Sequence, residues 1–152
     1  MKEPLVSRIL RFTLYGVFIL AVLITATLPL MLDTYFKILY DAYSLLPGYR
    51  TFIMFFLMFA GICGAWAVLE MILMLRSIPT GPFVLGNVRA LKRVGAVSAV
   101  LAAAFGVKCF VYITFLTLVG AVIFALACLF AFTLASLFSQ AVAFREENDL
   151  TI

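Results

Sequence analysis

Chemistry in a protein needs polar groups that converge, and this 152-residue chain offers few of them. Glu70 and Lys108 are ionisable residues set inside otherwise apolar runs. There is no histidine, which removes the usual general base near pH 7 and the commonest metal ligand. Cys63, Cys109 and Cys128 are scattered through apolar stretches without a CxxC spacing, a setting in which cysteines behave as small hydrophobes. No Ser or Cys stands beside a base, and the lone acid lacks the second carboxylate that a membrane hydrolase would want. The expectation is a protein that is not an enzyme and takes neither cofactor nor metal.

What must hold these residues is set by composition. Apolar residues make up 66% of the chain and charged residues 12%, against roughly 45–50% and about 25% in soluble proteins. Mean hydropathy is +1.23. Too few polar groups exist to cover a small soluble fold, which excludes a water-soluble enzyme, a disordered chain and a solvent-facing nucleic-acid domain. The chain reads as an integral membrane protein in contact with the lipid bilayer.

A spanning helix needs about 20 mostly apolar residues. Phe12 to Leu32 is the first candidate, with Pro29 near its far end, where a kink or an early helix stop is tolerable. Thr51 to Leu75 is the second, interrupted by Glu70. Val94 to Ser139 is too long for one crossing and carries a single charge, Lys108, so it must fold back. A turn at Ile113 to Leu116 divides it into near-equal spans, 94–113 and 117–139. One membrane domain covers 1–152, an all-α four-helix bundle with a loop at 76–93 and a tail at 140–152.

Four spans bring both termini to one side, and positive charge selects which. Lys2, Arg8, Arg11, Arg76, Arg89, Lys92, Arg93 and Arg145 gather there, whereas the Asp33–Arg50 loop holds Lys37 and Arg50 offset by Asp33 and Asp41. That bias in short loops predicts cytoplasmic termini, with Tyr35, Tyr40, Tyr43 and Tyr49 as an aromatic belt on the other face. The net charge of +4 follows the membrane flanks and forms no stripe, so direct nucleic-acid binding is not expected. The first apolar run exceeds a signal-peptide core and no A-x-A site follows it, so it is retained as a span.

Depth decides how the two intramembrane charges behave. Glu70 lies about five or six residues from the cytoplasmic end of span two, roughly 8–9 Å deep at about 1.5 Å per residue. It is expected to face the bundle, protonated or hydrogen-bonded to a hydroxyl or backbone group, with a proton or cation pathway as the functional alternative. Lys108 sits near the outer end of span three and is expected to snorkel outward. The two are too far apart in depth to pair.

Two polar segments could carry a contact. In the loop, prolines and glycines break the second helix before Phe83, and Asn87 reads as an N-cap of the helix entering span three. From there Val88, Leu91 and Val94 share one face, with Arg89, Lys92 and Arg93 mostly on the other, a basic face for anionic headgroups or a partner. The tail reads Glu146-Glu147-Asn148-Asp149-Leu150-Thr151-Ile152. Acids at a helix C-terminus oppose the dipole, so helicity should fade there. They either pair with Arg89, Lys92 and Arg93 above packed Leu150 and Ile152, or form a short docking peptide. Gly61, Gly64, Ala65 and Ala67, and Ala102 to Ala104 with Gly106, make small-residue faces for helix packing, within the chain or in a homodimer.

Pro82-Phe83, Asn87-Val88 with the basic-apolar run after them, and the ending Glu147-Asn148-Asp149-Leu150-Thr151-Ile152 together resemble the bacterial membrane-protein family called domain of unknown function 2975. The resemblance covers nearly the whole chain. It implies a small four-span protein of the bacterial inner membrane, with a cytoplasmic C-terminus and often encoded beside a small helix-turn-helix regulator. It carries no assigned functional residues. The expected function is regulatory binding of such a cytoplasmic partner through the 83–93 loop and the 146–152 tail, with a transporter using Glu70 as the alternative.

Overall fold

A computed structural model of the chain describes residues 5–38, 48–76 and 84–149. They form four helices, α1 (Leu5–Ile38), α2 (Tyr49–Arg76), α3 (Leu85–Val111) and α4 (Phe115–Asp149). Each holds a stretch long and apolar enough to cross a membrane, within Arg8–Leu32, Tyr49–Arg76, Leu85–Val111 and Phe115–Arg145. The long apolar run folds back at residues 112–114, overlapping the expected turn at 113–116 and ending two residues earlier.

Local chemistry sets the helix ends. Gly48 enters α2 at φ 90, a left-handed conformation that side chains disfavour, and its carbonyl accepts the Phe52 N–H at 2.9 Å. Thr114 starts α4: its carbonyl accepts the N–H groups of Thr117 and Leu118 at 2.9 and 3.1 Å. Its hydroxyl also takes the Thr117 N–H, at 3.3 Å. α1 passes through Pro29 and continues to Ile38. The expected N-cap at Asn87 is not used. α3 begins earlier, after Val84, which caps it with backbone alone, and Asn87 is buried inside the first turn. Nor does helicity fade at the acids, because α4 runs on to Asp149.

Helix contacts follow chain order, α1 with α2, α2 with α3 and most extensively α3 with α4. No other pair among the described residues makes more than a marginal approach. The expected four-helix bundle is thus packed along three of its edges, without close packing of α1 on α4. Apolar faces left uncovered are no liability in hydrocarbon, since lipid tails solvate them as well as leucine does. Phe12, Leu30, Phe55, Phe110, Phe115 and Phe130 accordingly all point outward.

Inside, Ile72, Leu101 and Thr117 are the largest side chains with almost no exposure. Two glycines let α3 and α4 close together. A Cβ on Gly95 would lie 3.2 Å from the Phe132 ring, and one on Gly120 would overlap the Phe105 ring. Gly61, singled out in the sequence, does the same for α2 against Thr25 of α1, while Gly64 and Gly106 face open space. All neighbours run antiparallel. The starts of α1 and α3 therefore meet the ends of α2 and α4 at one end of the row, here the terminal end.

Candidate functional site

At the terminal end an ion pair joins α2 to α3. Arg93 Nε lies 2.7 Å from Glu70 Oε1, and Nη2 donates to Oε2 at 2.8 Å, a two-pronged contact that matches the guanidinium fork to the carboxylate. Glu70 is buried at 6% exposure, whereas the Arg93 side chain is 54% exposed and reaches in from the rim. The expected hydroxyl or backbone partner for Glu70 is therefore replaced by an arginine. The reason is the early start of α3: Arg93 is not at a helix entrance but two turns inside, level with Glu70 on the antiparallel neighbour.

Arg76, at the end of α2, donates from Nε to the Tyr15 hydroxyl at 3.1 Å, and from Nη2 to the same oxygen. This ties α1 to α2 on the same level. Neither pairing was legible as a motif, because the partners stand 61 and 23 residues apart.

The amphipathic start of α3 is as expected. Val88 and Leu91 are buried with Asn87 and Ala90, while Arg89, Lys92 and Arg93 are exposed. The helix register sets its distance from the tail. The contacts Gly95–Phe132 and Phe105–Gly120 set a register in which Arg89 stands level with Leu137. Glu147 lies about 15 Å farther along α4 at about 1.5 Å per residue. Basic face and acidic tail are thus offset along the axis, and Arg93 is taken by Glu70. Phe144, Arg145 and Glu147 are exposed on the projecting end of α4. Phe83, Leu150, Thr151 and Ile152 lie outside the described residues, as do the side chains of Tyr35, Tyr40, Tyr43, Glu146, Asn148 and Asp149.

The opposite end holds the second intramembrane charge. Lys108, one turn before the end of α3, is 7% exposed and donates from Nζ to Thr117 Oγ1 at 2.8 Å. Its ammonium stands 5.2 Å from the centroid of the Phe56 ring, within cation–π range. The expected outward snorkelling is corrected: the neighbouring helix offers a hydroxyl and α2 an aromatic face, and the ammonium turns inward to both. The Thr117 and Thr114 hydroxyls bond to each other. A row of rings continues from here, Tyr49 on Tyr112 at 4.7 Å, Phe56 on Phe105 at 4.9 Å and Phe105 on Phe124 at 5.3 Å. Thr114 and Thr117 escaped the sequence reading, although a threonine just before an apolar run is the ordinary N-cap signal.

The three cysteines are free thiols. Among the described residues, no group of three or more His, Cys, Asp or Glu converges. No family model matches this chain. Nor does any curated protein or any solved structure.

Proposed function

We propose that this chain is a non-enzymatic, four-span protein of the bacterial inner membrane, of the domain of unknown function 2975 type. Its terminal end faces the cytoplasm and holds a soluble regulator there. The observation that carries this reading is the continuous α4, which runs past the level where α3 begins and carries its acidic segment outward to Asp149. A helix projecting from the membrane as one piece presents Phe144 as an apolar anchor and Glu147 as charge, without the ordering cost of a flexible tail. An acidic helix suits a basic partner. Helix-turn-helix regulators present basic faces to DNA, and such a face would meet Glu146, Glu147 and Asp149 instead. Phe83, Arg89, Lys92 and Asn148 to Ile152 complete the proposed contact surface, from which Asn87 is excluded by its burial in the first turn of α3.

The transporter reading gains less support. Both carboxylate oxygens of Glu70 are engaged by Arg93, which leaves neither of them open to a passing cation.

Orientation is tested by reporter fusions. Fusions after Ile152 are expected to report the cytoplasm and fusions after Tyr43 the opposite side; an extracytoplasmic signal at Ile152 overturns the topology. Partner binding is tested by deleting Asn148 to Ile152 and, separately, by the charge reversal Glu146→Lys with Glu147→Lys. Both variants are expected to insert normally but to lose the neighbouring regulator from isolated membranes. Retention of that regulator by both variants defeats the proposal.

A further inference from the structure

Lys108 lines a cavity of about 290 Å³ between α2, α3 and the start of α4, together with Phe56, Phe105, Thr114 and Thr117. The remaining lining, Leu57, Leu116, Val119 and Ile123 among it, is apolar. An ammonium has three N–H donors. One goes to Thr117, and a second direction faces the Phe56 ring. Among the described residues no carboxylate pairs with this lysine, in contrast to the Glu70–Arg93 pair at the other end of the row. The first turn of α4 contains no acid either. Its positive dipole end therefore adds to the lysine charge without local neutralisation.

We infer that Lys108, Thr114 and Thr117 form a receptor for a phosphate-type oxyanion, carried on an anionic lipid headgroup or free as phosphate. The oxyanion would accept from the ammonium and from one threonine hydroxyl, the other hydroxyl proton being spent in the Thr114–Thr117 bond, and would supply the counter-charge this buried cation lacks. Surroundings favour the lipid as source. Phe110 is 94% exposed, Phe115 83%, Leu116 78% and Ile113 74%, so the turn that bounds the cavity is a hydrophobic knob suited to lipid. Lys108 lies one turn below it, just inside the end of the span and within reach of headgroup phosphates, and the apolar lining toward Ile123 continues the path an acyl chain would take.

The test uses delipidated full-length protein in detergent micelles, with bound lipid counted by native mass spectrometry. Phosphatidylglycerol and phosphatidylcholine of identical acyl chains are the probes. Wild type is expected to favour phosphatidylglycerol about fivefold, the scale of one basic residue at a membrane surface. Lys108→Met is expected to abolish that preference and Lys108→Arg to keep it. Thr117→Val provides the same reading if Lys108→Met does not fold, and it is expected to weaken the preference. Inorganic phosphate is the competitor: displacement of the lipid identifies an oxyanion site open to solution, and failure to displace it identifies a site loaded from the bilayer. Equal binding of the two lipids by wild type overturns the inference, as does an undiminished preference in a folded Lys108→Met protein.

Discussion

Arg93→Met is expected to destabilise the folded protein by about 2 kcal/mol, more than the loss of any exposed charge. Removing one partner of a buried ion pair costs about 3–5 kcal/mol because the other charge is stranded. Here the figure is reduced, since the Arg93 side chain is 54% exposed and water or headgroups already screen part of the interaction. Glu70→Gln should cost less, because the amide oxygen still accepts a hydrogen bond from Arg93. The double replacement Glu70→Leu with Arg93→Met should recover much of the loss, as buried ion pairs often give way to apolar residues of similar volume without penalty. Denaturant unfolding in micelles, followed by circular dichroism across this cycle, measures the coupling. A coupling energy near zero would show that the pair is incidental to α2–α3 packing.

Gly120→Leu is expected to produce the other large loss, by a different mechanism. Even a single methyl at this position would collide with the Phe105 ring, whose Cδ1 would lie 2.6 Å away. Phe105 has little room to retreat, because it is packed between Phe56 and Phe124. Overpacking of this kind costs about 1–3 kcal/mol, as helices separate or rings leave their rotamers. Gly95→Ala should cost less, since the Phe132 ring needs to give by only a few tenths of an ångström. Gly64→Ala supplies the control. Open space lies before it, so the gain in helix propensity should leave it neutral or slightly stabilising. Thermal unfolding of the three variants in one detergent should rank them in that order. A harmless Gly120→Leu would mean that α3 and α4 are not in the close contact described.

The existence and number of the spans were legible in the residues, and so was the fold-back near residue 113. Each follows from the length of an apolar run measured against a fixed hydrocarbon thickness, which is a property of the chain read in one dimension. The amphipathic start of α3 was legible for the same reason, since Val88, Leu91 and Arg89 obey the period of a single helix. Where a reading needed competition between local signals it went astray. Asn87 looked like a cap, yet the start of α3 is set by the buried stripe Asn87, Val88, Ala90 and Leu91, which needs the helix nearly one turn earlier.

Whatever depends on neighbours was decided only by the tertiary structure. Glu70 and Arg93 meet because α2 and α3 run antiparallel with α3 starting at Leu85, and no periodicity within either helix encodes that register. Lys108 turns inward because Thr117 and Phe56 reach it from two other helices. Its own sequence surroundings, apolar on both sides, fit snorkelling equally well. Gly61 is a contact and Gly64 is not, although a single turn separates them, since only the first faces Thr25. Hydropathy tells each helix to enter lipid; side-chain shape, hydrogen-bonding capacity and charge then choose which faces meet, and those are pairwise quantities that one strand of text does not contain.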